Sequence, residues 1–272
     1  MAKKKRKFDK SDIIKLCVLG VFFCVFCVSA YMVISQLVTE QHEAEAFDVL
    51  LRQVQGTNEP DGIVDVMPGN MLEGEDFATL ELLARYAALH EQNSDLFGWI
   101  SIPNTTVNYP VMHTPNDPEY YLHRAFDRTT AKSGVPFMDG KSYTDCGNYL
   151  VYGHKMKNGT MFAPILDYEN REFWEQHPII RFDTLDEVAE YEVFAACYTQ
   201  VYTSADPNAF RYYRYPVLTD PVTYAEYVDG VKAMASYDTG ITPQFGEQLL
   251  TLSTCSYHVD EGRFIVVARK IG

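Results

Sequence analysis

The chain has 272 residues, 47% of them hydrophobic and 14% aromatic. That is enough to fill a sizeable core, and it excludes a disordered chain. The net charge is -14, which excludes nucleic-acid binding as the main task because an acidic surface repels phosphates.

The charge is unevenly placed. Residues 1–15 carry seven Lys/Arg against two Asp, and residues 16–38 carry no charge. The remainder is therefore more acidic than the chain as a whole. Leu16 to Ile34 is an uncharged stretch of 19 residues, which at 1.5 Å per residue just spans a hydrocarbon core of about 30 Å. The basic run Lys3–Lys7 stands before it. By the positive-inside rule, the N-terminus is expected in the cytoplasm and the C-terminal domain outside. KKKRK also matches a nuclear-import pattern, but a membrane span follows at once. A cleaved signal peptide would need a better small-x-small ending than Ser29–Ala30 supplies. We expect an uncleaved signal-anchor at 16–35 behind a basic tail at 1–15.

Residues 36–56 read as a helix leaving the membrane. Residues 57–74 (TNEPDGIVDVMPGNMLEG) are rich in Pro, Gly, Asp and Asn and read as a linker. Asp76–Gln92 carries apolar residues at helical spacing, with Asp76 as candidate cap. We place the domain boundaries at 36–75 for the helix and linker and at 76–272 for the catalytic domain. Beyond residue 98 the period falls to two. Strands are expected at 99–102, 107–112, 135–139, 148–153, 179–184, 188–202, 248–255 and 263–270. A short helix is expected over 161–168 and a longer one over 221–236. About eight short strands predict a mainly-β closed barrel or sandwich.

Of six cysteines, Cys17, Cys24 and Cys27 lie in the apolar span and act there as small hydrophobes. Cys146, Cys197 and Cys255 lie beyond it, so at least one outer thiol is unpaired. Cys197, in VFAACYT, reads as core filler, and so does Cys146, in a Gly/Asp-rich turn. Cys255 closes the apolar run LLTLSTC and is followed by polar residues, which puts it at a strand end where a substrate can meet it. An ordinary thiol of pKa about 8.5 needs a histidine or a cation as helper.

His154 follows a strand in NYLVYGHKMKNG and is the first candidate helper; the competing reading is an exposed turn histidine. Arg263 opens the last strand, where alternation aligns it with Ile265 and Val267. If Cys255 and Arg263 flank one hairpin loop, they end neighbouring strands; the competing reading is a solvated strand-end arginine. His258 is a rival base three residues from Cys255, read as a solvated loop residue. His177 reads as structural, and His42, His90, His113 and His123 attract no special argument. The outer domain has no CxxC pair and no His/Cys zinc spacing, so no metal or other cofactor is expected.

TLSTC (251–255) followed by Arg263 and a terminal apolar strand resembles the sortase signature. VYGHKMKNGTMFAPI (151–165) resembles the histidine segment of class B sortases. FGWISIPNTTVNYPVM (97–112), the Tyr-Leu-x-x-x-Phe stretch at Tyr121–Phe126 and REFWEQHPII (171–180) are similar to class B segments too. The resemblance covers most of residues 90–272. It implies an eight-stranded sortase barrel with N-terminal helices and a long helix between the sixth and seventh strands. It also implies a cysteine transpeptidase that binds a C-terminal sorting signal of surface proteins, NPQTN-like or PPxTG/LPxTG-like. Cys255 would be the nucleophile, His154 the proton-transfer residue, and Arg263 the cation at the oxyanion or the substrate backbone. The acceptor would be a peptidoglycan amine or a pilin Lys. Ser253, Thr254 and Tyr152 are added as candidate substrate contacts. A pilin polymerase, a thiol endopeptidase and an inactive surface scaffold are the alternatives to wall anchoring.

Overall fold

The computed structural model describes residues 10–56 and 74–271. The chain divides into two compact units, 1–49 and 50–272. The apolar stretch and the helix expected after it form one continuous helix, α1 (Lys10–Gln55). Its segment Val18–Gln55 is long and apolar enough to cross a membrane, and the side chains of its apolar window are not buried by the rest of the protein. The linker read over 57–74 falls, apart from Gly74, outside the described residues.

In the second unit, α2 (Gly74–Gln92) begins two residues ahead of Asp76, which therefore lies within the first turn. The end of α1 packs in the same unit. Leu50 and Val54 are buried, and Arg85 donates from Nη1 to the Val54 carbonyl at 2.8 Å. The strands are β1 (Leu96–Ser101), β2 (Asn108–Met112), β3 (Phe137–Met138), β4 (Asn148–Tyr152), β5 (Ile179–Thr184), β6 (Glu190–Gln200), β7 (Leu249–Cys255) and β8 (Gly262–Ile271). They close into a barrel in the order β1-β2-β3-β4-β7-β8-β6-β5. Two neighbouring pairs, β2–β3 and β4–β7, are parallel.

The expected strand at 135–139 shrinks to two residues because Pro136 has no N–H for a ladder; its carbonyl still accepts from Met112 N at 2.9 Å. The short helix expected at 161–168 is a 3-10 turn over Ala163–Glu169. A further helix, α3 (Arg171–Gln176), was not expected. The long helix is α4 (Pro221–Met234), between β6 and β7. Asp220 caps it by accepting from Val222 N at 3.1 Å and Thr223 N at 2.9 Å, and Pro221 supplies a preset first-turn φ.

β7 is buried from Leu249 through Thr254, because the barrel interior covers one face and α4 part of the other. Tyr224, Tyr227, Val228 and Val231 of α4 pack with Leu150, Cys197, Leu249, Ile265 and Val267. Polar residues on this covered face are tied down, as buried polar groups require. Tyr227 Oη and Thr251 Oγ1 lie 2.5 Å apart, Thr251 donates to Asn148 Oδ1 at 2.9 Å, and Asn148 donates to the Tyr215 carbonyl at 2.9 Å.

On the other side of the barrel, buried Tyr86 of α2 donates to Asp183 of β5 at 2.7 Å. Asp183 Oδ1 also accepts from Ala189 N at 3.1 Å. Burial pushes the Asp183 carboxyl above the ordinary carboxylate value despite these bonds. Tyr86→Phe leaves that carboxyl short of a donor while keeping the ring's packing, and a loss of about 1–3 kcal/mol in urea unfolding is expected.

Candidate active site

β7 and β8 bring Cys255 and Arg263 together. The two are direct partners in the antiparallel register at the end of the β7–β8 ladder. The loop between them closes tightly: Ser256 N donates to the Gly262 carbonyl at 2.9 Å. A Cβ on Gly262 would collide with the Ser256 carbonyl, so this position needs glycine. On the other edge of β8, Thr199 of β6 is the register partner of Arg263. Thr199, Arg263 and Cys255 therefore stand abreast on three adjacent strands.

β4 supplies the histidine. Its parallel register sets Tyr152 beside Ser253, and two bonds carry the contact further. Gly153 N donates to the Ser253 carbonyl at 3.0 Å, and Thr254 Oγ1 donates to the Gly153 carbonyl at 2.7 Å. His154, the next residue, is thereby held at the rim of the cleft that Cys255 also lines. Gly153 has no room for a side chain, because a Cβ there would lie 2.6 Å from the Phe162 ring.

A cleft of about 500 Å³ joins these groups. Its lining includes Tyr152, His154, Ser253, Thr254, Cys255 and Arg263, so all six residues singled out from the sequence meet at one place. The hydroxyls of Ser253 and Thr254 already have protein partners. Ser253 Oγ lies 2.7 Å from Tyr212 Oη, and Thr254 Oγ1 is spent on Gly153. Tyr152 donates to Asp139 Oδ2 at 3.2 Å. Arg263 is 24% exposed; its Nη1 donates to the Gly262 carbonyl at 3.0 Å, and its Nη2 lies 3.5 Å from Glu261 Oε2.

The His154 ring is oriented by the backbone. Nε2 lies 2.8 Å from the Leu122 carbonyl, an acceptor only, so Nε2 carries the proton and Nδ1 is left to exchange one. Burial lowers the His154 pKa below 6.5; the Leu122 carbonyl opposes that shift and the nearby His123 adds to it. The two rings stack with centroids 5.4 Å apart.

The other outer thiols are different in kind. Cys146 and Cys197 are fully buried, and burial raises both pKa values, that of Cys197 to about 12. Cys255 is partly exposed, and like Cys24, Cys27, Cys146 and Cys197 it is a free thiol. His258 is turned away from a catalytic role: its Nδ1 lies 3.0 Å from Ser256 Oγ and its ring packs on Tyr198. Among the described residues no three His, Cys, Asp or Glu converge as a metal site.

Sequence reasoning missed Tyr212, Tyr213, Leu122 and Asp139, all of which line the cleft. Tyr212 is buried and its phenol is pushed up to about 12, with Ser253 and the charge of Arg263 pulling the other way. The signal available was the tyrosine-rich run FRYYRYP at 210–216, which has no period of its own.

The family model described as a Sortase domain matches residues 100–271. The chain belongs to the sortase family. It is 30% identical over 191 residues to sortase B of Staphylococcus aureus, covering 69% of this chain and 75% of that protein. It is 28% identical over 187 residues to sortase B of Listeria monocytogenes, covering 67% and 72% respectively. A solved Staphylococcus aureus sortase B–substrate complex superposes with TM-score 0.69 at 25% identity, covering 86% of this chain and 98% of that one. Clostridium perfringens sortase B superposes with TM-score 0.61 at 26% identity, covering 68% and 99%. This sortase is thus of class B, a cysteine transpeptidase on an eight-stranded barrel, with one N-terminal apolar helix consistent with membrane anchoring.

Proposed function

We propose that this enzyme cleaves a C-terminal sorting signal, NPQTN-like or PPxTG/LPxTG-like, after its Thr and transfers the protein to a peptidoglycan amine. The observation that carries this reading is the convergence of Cys255, His154 and Arg263 on one cleft from the ends of three barrel strands. The substrate-bound Staphylococcus aureus relative supports binding of a signal in that cleft.

In this reading the Cys255 thiolate attacks the Thr carbonyl carbon, and Arg263 stabilises the oxyanion or holds the substrate backbone. The peptide C–N bond then breaks as His154, protonated at Nδ1, gives that proton to the leaving amine. The thioester is resolved by the incoming amine, whose proton passes to His154 as the Cys255 sulfur departs. Ser253, Thr254 and Tyr152 shape the cleft wall as substrate contacts. With their hydroxyls already engaged, Ser253 and Thr254 act through position and backbone.

The proposed placement is a cytoplasmic tail at 1–15, a signal-anchor at 16–35, an extracellular helix and linker at 36–75, and a catalytic domain at 76–272 outside the cell. The test uses fluorogenic peptides of the three motif types with a stem-peptide amine, and products read by mass spectrometry. Cleavage at the Thr bond with the amine joined to the new Thr end is expected. Cleavage without transfer, even with a pilin-type Lys peptide as acceptor, would make the enzyme an endopeptidase. Transfer to the Lys peptide alone would make it a pilin polymerase.

A further inference from the structure

Thr199 is 4% exposed, and its Oγ1 is shut off from solvent with no hydrogen-bond partner. A buried hydroxyl without a partner is costly, and native proteins rarely leave one. This one lies in the row that holds the nucleophile. Cys197 and Ala195, two and four residues back along β6, face the apolar cluster under α4, and so do Ile265 and Val267 of β8. By alternation Thr199 and Arg263 continue that same face to its open end, and their register makes them direct neighbours. Directly opposed residues have Cβ atoms about 4.5–5.5 Å apart, well within the reach of an arginine side chain.

Arg263 has spare donors. A guanidinium carries five N–H groups. Here Nη1 serves the adjacent Gly262 carbonyl, and Nη2 makes only a 3.5 Å contact with Glu261, at the outer edge of hydrogen-bond range. The Glu261 side chain is 64% exposed, so this contact is weak. A hydroxyl closed to solvent is also closed to a substrate in the cleft, so its partner must come from the protein.

We propose that Thr199 is a positioning residue for Arg263, its hydroxyl accepting a hydrogen bond from the guanidinium once that group leaves Glu261 and turns toward Cys255. Thr199 touches no reacting atom; it fixes one side of the cation while the other faces the carbonyl under attack. The proposal rests on the reading of Arg263 given above.

The test compares wild type, Thr199→Val, Thr199→Ser and Arg263→Ala in the full-length chain in detergent micelles, using the sorting-signal peptide that wild type cleaves fastest. Thr199→Val is expected to lower kcat about tenfold, the size of one hydrogen bond to a charged group, with KM unchanged. Thr199→Ser should return kcat to within about twofold of wild type. The Tm of Thr199→Val should not fall, because a methyl replaces a hydroxyl that has no partner. An unchanged kcat in Thr199→Val, a loss carried by KM, or a loss that tracks a lowered Tm and is not rescued by Ser would each overturn the proposal. Arg263→Ala separates the two claims. Full activity there would overturn the reading of Arg263 and this proposal with it. Loss there beside an unaffected Thr199→Val would overturn this proposal alone.

Discussion

Replacing Cys255 by Ala is expected to remove the acyl-enzyme mass and lower peptide cleavage by at least about 10³-fold, because no second group in the cleft can form the thioester. The companion variant, Cys146→Ala with Cys197→Ala, is expected to keep its kcat. Both of those thiols are buried, with pKa values raised by that burial, and neither lines the cleft. The cost of the double change should appear in stability, since each loses a buried sulfur and Cys146 also loses its bond to the Asn148 carbonyl at 3.1 Å. Intact-mass spectrometry after mixing with peptide reads the first effect, and thermal unfolding beside steady-state kinetics reads the second. An acyl adduct on the Cys255→Ala protein would move the nucleophile elsewhere.

His154→Ala is expected to lower kcat/KM by about 10²–10⁴-fold, the usual worth of a positioned acid and base. Added imidazole should restore part of the rate by occupying the vacated space. The pH behaviour follows from the ring's surroundings. Burial, and to a smaller degree His123, lower the His154 pKa from its ordinary value, which favours the neutral ring. The protonated form proposed to serve the leaving amine grows as pH falls. His123→Phe keeps a stacked ring and removes the nearby charge. It should raise the His154 pKa, read by histidine NMR; an unchanged value would show that His123 does not contribute to the shift.

Much of this was legible in the sequence, for identifiable reasons. The strand ends near Tyr152, Cys255 and Arg263 were readable to within a residue, because apolar runs stop or start there. The Cys255–Arg263 pairing followed from one short loop between two strands. That His154 and Cys255 line one cleft was not readable from spacing, because it depends on a parallel ladder between segments 101 residues apart. It entered through resemblance to other sortases. Tyr212 stayed hidden because its strand-like composition sits in a 3-10 turn, where side chains follow neither a two-residue nor a 3.6-residue period. Leu122 contributes a backbone carbonyl, a role that no side-chain pattern can report. Thr199 looked like one more β-branched strand residue, and only its unmet hydroxyl sets it apart.

The position of β8 between β7 and β6 bears on the order of events during biogenesis. The strand that carries Cys255 gains its antiparallel neighbour only from residues made after it. Its parallel neighbour was made about a hundred residues earlier. Long-range pairings of this kind form slowly, because a large loop must close before any ladder bond compensates. A nascent chain emerging N-terminus first thus presents Cys255 without Arg263 beside it until its last strand is in place. The proposed set of Cys255, His154 and Arg263 is therefore complete only when the barrel closes.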